Sequence, residues 1–310
     1  MKILITGSNG LLGQKLVYKL RNKSGLSCIA TARGQNRLVE QSGYTYQSLD
    51  ITNEAEVKEV FGKVMPDVVI NTAAMTNVDA CETDRDQARL LNATSVKFQI
   101  EALQALQQQN PAYHPHFIHL STDFIFDGTH GPLDENEKPN PLSYYAETKL
   151  EAEQLVMASS LDWAIARTVL VYGIVDNMSR SNIVLWVKSN LEQGKTINVV
   201  DDQFRTPTLA EDLADGCILM AEKRAKGIYN ISGKDFYSIL ELANTVADYY
   251  GLDKSLIKPS KSADIKQPAK RPPITGFIID KAKRDLGYNP HSFVEGIRLL
   301  EEQLRDMGKA

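Results

Sequence analysis

The run Lys2-Ile3-Leu4-Ile5-Thr6 is apolar without alternation, and it breaks at once into Gly7-Ser8-Asn9-Gly10-Leu11-Leu12-Gly13. A run of that kind suits a strand buried on both faces, as in the interior of a parallel sheet. After the glycines a helical pattern begins, with Leu11, Leu12, Leu16, Val17 and Leu20 on one side. A buried strand that turns through glycines into a helix is the geometry of a phosphate cradle. One glycine permits the tight turn, one lets backbone approach a pyrophosphate, and one lets the helix pack close to the sheet. The first N–H groups of the helix then face the anion. The spacing is Gly-x-x-Gly-x-x-Gly, and its place after a strand and before a helix supports the dinucleotide reading. Gly7, Asn9, Gly10, Leu11, Leu12 and Gly13 are the expected contacts.

The rhythm continues through the first half. Strands are predicted at Ser27–Thr31, Thr45–Leu49, Asp67–Asn71, His116–Ser121 and Trp163–Thr168, with helices near Asn53–Val64, Arg85–Gln109 and Tyr145–Ser159. The expected fold is α/β, a Rossmann-type doubly wound parallel sheet with a smaller C-terminal lobe. Residues 1–170 would form the cofactor domain and 171–310 mainly the substrate lobe, some segments returning to the sheet. In that second part a helix to Glu192, a strand at Thr196–Val200, and helices at Ala210–Glu222 and Ile239–Tyr250 are expected. Lys258–Pro273 reads as an exposed loop.

The end of the second strand selects between dinucleotides. An acid there would accept hydrogen bonds from a ribose 2′-hydroxyl, whereas an arginine accommodates a 2′-phosphate. Here Ala30-Thr31-Ala32-Arg33-Gly34-Gln35-Asn36-Arg37 carries no acid, and Arg33 lies twenty positions after Gly13. NADP(H) is therefore the expected cofactor, with NAD(H) use left open.

Tyr145 and Lys149 stand one helical turn apart and share a face. A phenol beside an ammonium group is a general acid/base, the cation favouring ionisation. A second Tyr-x-x-x-Lys, Tyr250 with Lys254, straddles Gly251 at a helix end and reads as structural. The first pair gains weight from Thr122, which follows the fifth strand at the carboxyl edge where open α/β sheets bind ligands.

The glycine turn, Thr122 and the Tyr145/Lys149 helix together resemble the extended short-chain dehydrogenase/reductase superfamily. The resemblance runs almost end to end. Asn71-Thr72-Ala73-Ala74 is similar to the family's cofactor-contacting turn, and Asp50-Ile51 to its adenine-side pair. Ser121-Thr122-Asp123-Phe124-Ile125-Phe126-Asp127-Gly128 and Asp201-Asp202-Gln203-Phe204-Arg205-Thr206-Pro207-Thr208 resemble segments typical of dTDP-4-dehydrorhamnose reductases. This likeness implies a catalytic set of Thr122, Tyr145 and Lys149, with Lys149 also holding the nicotinamide ribose and Asn92 ordering that site. Asp123, Phe124, Arg205 and Arg271 would meet substrate. The chain departs from the family pattern at Ala146, at Phe204-Arg205-Thr206, and at Arg271-Pro272-Pro273-Ile274-Thr275-Gly276 before Asp280. Where sugar-nucleotide dehydratases carry Thr-Asp-Glu, this chain has Phe124, which cannot transfer a proton.

Composition excludes several alternatives. Thirty-five Lys and Arg against 39 Asp and Glu give a net charge of −4 over 310 residues, without the basic excess of a nucleic-acid or membrane-surface binder. No apolar run approaches the roughly 18–20 residues of a membrane span, and the N-terminal run turns too early for a signal peptide. Cys28, Cys81 and Cys217 are far apart and odd in number, so a reduced, cytoplasmic setting is expected.

His114, His116 and His119 lack metal-ligand spacing and read as structural or surface residues, and no metal is expected. Arg180, Arg205 and Arg271 could grip a diphosphate by bidentate hydrogen bonds. Trp186, Tyr249 and Tyr250 read as core. The leading expectation is an NADPH-dependent reductase of a 4-keto-6-deoxy nucleotide sugar, compatible with a homodimer. Two alternatives stay open: a nucleotide-sugar epimerase, and a regulatory subunit resembling the methionine adenosyltransferase β subunit.

Overall fold

The computed structural model describes residues 1–177 and 181–307. Its first half runs β1 (Lys2–Thr6), α1 (Leu11–Leu20), β2 (Ser27–Ala32), β3 (Thr45–Ser48), α2 (Glu54–Val64), β4 (Val68–Asn71), α3 (Val78–Thr83), α4 (Arg85–Arg89), α5 (Ser95–Gln109), β5 (His116–Thr122), α6 (Tyr144–Ala158) and β6 (Asp162–Thr168). The second half supplies β7 (Val171–Tyr172), α7 (Ile183–Glu192), β8 (Ile197–Val200), β9 (Phe204–Arg205), β10 (Thr208–Leu209), α8 (Ala210–Glu222), β11 (Gly227–Asn230), β12 (Tyr237–Ser238), α9 (Ile239–Tyr250), β13 (Ile257–Ser260), α10 (Asp280–Leu286) and α11 (Phe293–Asp306).

Seven strands form one sheet in the order β11-β6-β5-β4-β1-β2-β3, every pair parallel. The chain thus winds outward from β1 in both directions. Between β1 and β4 the winding reverses, and the crevice at their carboxyl ends is where such sheets take ligands.

Helices cover both faces, which is why the central strands read as unbroken apolar runs. On one face Leu16, Val17 and Leu20 of α1 pack with Leu213, Ala214 and Cys217 of α8 and Leu286 of α10. On the other, Val57 and Phe61 of α2 meet Val96, Ile100 and Leu103 of α5 and Val156 of α6. A third core belongs to the C-terminal half: Val184 and Val187 of α7, Leu242 and Val246 of α9, and Ile297 and Leu300 of α11. β11 pairs with β6, so residues 171–310 divide between this lobe and the sheet.

Three local expectations are corrected. Arg85–Gln109 is not one regular helix, because a π-helical turn, Leu90–Thr94, separates α4 from α5. Lys258–Pro273 is not wholly loop, because β13 pairs in parallel with β8 and Ala269 is buried. Trp186 is no core residue: its α7 position leaves it 37% exposed.

Among the described residues, no helix is long and apolar enough to cross a membrane.

Candidate active site

The turn after β1 is built for close backbone approach. Gly7 has φ +70°, and a Cβ there would lie 2.8 Å from Ala73 backbone atoms. At Gly13 an added Cβ would fall 2.2 Å from Gly7 O, so only glycine lets α1 sit this near the turn. Gly10 caps α1 without a side-chain hydrogen bond, and no acid occupies the first turn. The leading N–H groups, with the positive end of the helix dipole, are left for an anionic ligand. The residues therefore suit a dinucleotide pyrophosphate.

Asn9 has a different task from direct approach to that anion. Its Nδ2 donates to Gln35 O and its Oδ1 accepts from Arg37 N, both at 2.9 Å, which ties the loop after β2 onto the glycine turn. Arg33, at the end of β2, is 77% exposed with its guanidinium 4.0 Å from Asp50. Asp50 accepts from Thr52 N and Oγ1, and Ile51 beside it is buried.

A cleft of about 590 Å³ opens from the glycine turn. Gly10, Leu11, Leu12, Gly13 and Ala74 line it at one side, and Thr122, Asp123, Phe124, Tyr145 and Lys149 line it further in. Tyr145 and Lys149 come from the first two turns of α6, whose N-cap Ser143 accepts from Ala146 N. Thr122 ends β5, and its side chain hydrogen-bonds the Tyr145 phenol. Thr122 Oγ1 also donates to Asp123 Oδ1 at 3.1 Å and accepts from Phe124 N at 3.2 Å. Phe124 packs edge-on against the Tyr145 ring, 6.1 Å between centroids.

Burial dominates the electrostatics. Desolvation pushes the Tyr145 phenol above its ordinary range, the Thr122 hydrogen bond opposing it, and lowers Lys149 to about 8. The expected depression of the phenol by its lysine neighbour is therefore corrected for this arrangement. Lys149 Nζ instead donates to Leu120 O at 2.6 Å and stands 3.3 Å from His119 Nε2.

Asn92 explains the π-helical turn. Its Oδ1 accepts from Met75 N at 2.8 Å, and its Nδ2 donates to Met75 O and Thr148 Oγ1, both at 3.1 Å. One buried amide thus joins the loop after β4 to α6, and the extra residue in the helix turns it inward.

The residues expected to meet substrate are themselves well bonded. Asp123 is buried, accepts from Thr275 Oγ1, and faces Arg205 Nε at 3.7 Å. Desolvation raises its carboxyl, with Arg205 opposing. The other four N–H groups of Arg205 go to Phe204 O, Pro273 O, Gln203 Oε1 and Pro272 O. At 3% exposure this guanidinium fastens two loops at the cleft, with Nε turned toward Asp123. Arg271 also lines the cleft, paired with Asp79. Arg180 lies outside the described residues. Tyr250 and Lys254 stand away from the cleft, Lys254 pairing with Asp248 at 2.6 Å.

Sequence reasoning did not single out Thr76, Val78, Thr168, Leu170 or Ile239, which also line the cleft. These come from loops, helix starts and the end of β6, and only tertiary folding gathers them. His119 and Asp79 carried a legible signal: a polar residue inside a fully buried strand, and an acid at the start of a short helix.

Similar proteins agree with this construction. The family described as RmlD substrate binding domain matches residues 1–305. The chain is 29% identical over 308 residues to "Probable low-salt glycan biosynthesis reductase Agl14" of Haloferax volcanii, covering 99% of each. It is 30% identical to "Methionine adenosyltransferase 2 subunit beta" of Xenopus tropicalis, covering 83% of this chain and 75% of that one. A crystal structure of dTDP-4-dehydrorhamnose reductase from Bacillus anthracis in complex with NADP superposes with a TM-score of 0.81 at 26% identity, over 97% of this chain and 99% of that one. With its sheet order, glycine turn and β5/α6 constellation in place, the chain belongs to the RmlD substrate binding domain family.

Proposed function

We propose that this chain is an NADPH-dependent reductase of a 4-keto-6-deoxy nucleotide sugar, acting at the C4 carbonyl as dTDP-4-dehydrorhamnose reductases do. The observation that carries the reading is the grouping of Thr122, Tyr145 and Lys149 in one cleft with the glycine turn. Support comes from the NADP complex of the Bacillus anthracis reductase and from the reductase name of the Haloferax relative.

Bound nicotinamide would supply the hydride. The protein supplies placement and the proton. Gly7, Gly10 and Gly13, with the free N–H groups of α1, hold the pyrophosphate. Arg33 favours a 2′-phosphate, and Asp50, Ile51, Ala73 and Ala74 flank the rest of the cofactor. Tyr145 donates its phenolic proton to the oxygen that gains charge as the carbonyl is reduced, while the Thr122 hydroxyl orients that oxygen. A phenol raised by burial suits this direction, because a proton donor must hold its proton before the reaction. Phe124 stands where dehydratases carry the second of the two acids used in their elimination chemistry, and it cannot transfer a proton.

The test is NADPH oxidation with dTDP-4-keto-6-deoxyhexose, followed spectrophotometrically. Tyr145→Phe should lower turnover by about 10²- to 10⁴-fold while NADPH still binds. Near-normal turnover in that variant would defeat the mechanism.

The Xenopus relative favours a second reading, a cofactor-binding regulatory subunit. That reading requires the purified chain to leave NADPH unchanged with keto-sugar nucleotides and to alter the activity of a partner enzyme.

A further inference from the structure

A line of buried polar side chains, Thr6, Asn71, His119 and Lys149, runs from β1 to α6 through the centre of the sheet. Thr6 Oγ1 donates to Asn71 Oδ1 at 2.6 Å, and Gln99 Nε2 donates to the same oxygen at 3.3 Å. Gln99 Nε2 also donates to Ser95 O at 3.2 Å, so turning that amide round would set two oxygens face to face. Asn71 is thereby held with its Nδ2 toward His119 Nδ1, 3.1 Å away. An amide N–H donates, so Nδ1 accepts and the ring proton sits on Nε2. Nε2 in turn faces Lys149 Nζ at 3.3 Å.

An Nε2–H and an ammonium group are both donors. The two nitrogens form a hydrogen bond only when the lysine is a neutral amine offering its lone pair. The bond from Nζ to Leu120 O, at 2.6 Å, needs one N–H and is available to either form. Burial and the Lys149 charge hold His119 far below its ordinary range, so an imidazolium does not compete.

We propose that His119 is a positioning residue: fixed as its Nε2–H tautomer by Asn71, it hydrogen-bonds the neutral amine of Lys149 and makes that lysine an exchangeable proton donor instead of a permanent cation. The inference rests on the reductase reading of Tyr145 and Lys149. Loss of a proton from the Lys149 ammonium breaks one N–H bond, the proton passes to solvent, and the amine left behind is the form that His119 stabilises.

The titratable and charged groups around Nζ are His119 on β5, Tyr145 and Glu153 on α6, and Arg167 on β6. Glu153 favours the ammonium, and Arg167 pairs with it at 2.7 Å. Of these groups, His119 stands within hydrogen-bond distance of Nζ, at 3.3 Å.

The experiment is ¹⁵N NMR of histidine rings and lysine Nζ in the full-length protein without added ligand. His119 should carry its proton on Nε2, and Lys149 should titrate near pH 8. A ring protonated on Nδ1 would overturn the proposal. In His119→Phe the Lys149 midpoint should rise by about one pH unit, the equivalent of one lost hydrogen bond. If His119 only filled space, the more apolar ring would leave the midpoint unchanged or lower it, which also overturns the proposal. The tautomer measurement uses wild-type protein, so a failure of the variant to fold does not leave the question open. Neither measurement depends on turnover. A wild-type protein that left NADPH unchanged with keto-sugar nucleotides would defeat the reductase reading and leave these two results standing.

Discussion

Asp79 of α3 and Arg271 of the segment before α10 form a bidentate ion pair at the cleft wall, with N···O distances of 2.7 and 3.1 Å. Asp79 also accepts from Ala269 N, and the guanidinium holds its carboxyl below the usual range. The pair anchors a C-terminal segment to the first half of the chain beside the cleft.

Removing Arg271 would leave a carboxylate facing an anionic substrate. Arg271→Ala should raise the KM for a nucleotide sugar by about 10-fold, with kcat changed less, since one unfavourable charge contact costs on the order of 1.4 kcal/mol. Adding Asp79→Asn should recover part of that loss. Steady-state kinetics of the two single variants and the double variant decide it. The pair is part-exposed, so stability should change by about 1 kcal/mol or less.

Arg205 predicts the opposite balance. Its hydrogen bonds go to loop carbonyls and Gln203, and its Nε faces the buried Asp123. Arg205→Ala would strand that carboxylate and several carbonyl oxygens, at a cost of about 3–5 kcal/mol. Urea unfolding should show the loss directly. Arg205→Lys should recover little, because three donors on one nitrogen cannot replace a planar fork.

Lys149 gives a stability prediction with a defined pH dependence. Its value falls from 10.5 in the unfolded chain to about 8 in the fold. Between those values the unfolded chain binds the extra proton, so this residue makes stability rise with pH through that window. Below pH 8 the penalty is fully present, and it has gone above pH 10.5. Lys149→Met should therefore stabilise the protein at pH 7, by up to about 3 kcal/mol. Thermal unfolding at pH 7 and pH 10 checks both the sign and the convergence.

Arg33 tests cofactor choice without touching the core. Because it is 77% exposed, Arg33→Ala should leave the melting temperature unchanged. Losing a cation opposite a 2′-phosphate should weaken NADPH binding by about 10-fold, equivalent to roughly 1.4 kcal/mol, and alter NADH binding much less. Fluorescence titration with both dinucleotides makes the comparison.

The sheet was legible because its strands are buried on both faces. Ile3, Leu4 and Ile5 cannot be anything but interior, and the glycines that follow admit few turns. Helices α8 and α9 begin and end where their apolar stripes do. The π-helical turn at Leu90–Thr94 was hidden, since its cause is an amide bonded to the backbone of a residue seventeen positions away. β13 was hidden too. Its partner β8 satisfies the backbone of a Lys- and Pro-containing segment that reads as loop on composition alone. At the site, spacing put Tyr145 and Lys149 on one helix face without separating them from the second Tyr-x-x-x-Lys, and it carried no sign of the direction of their shifts. Those depend on burial and on bonds to His119 and Leu120 across the sheet, which no local pattern encodes.

The last strand to join the sheet, β11, sits beside β6 although more than fifty residues intervene, many of them in the other lobe. Severing the chain near position 170 would strip β6 of that neighbour and leave its outer backbone N–H and C=O groups bare. The amino-terminal piece would then carry a bare edge open to self-association, so a cut at that point divides one sheet between two fragments.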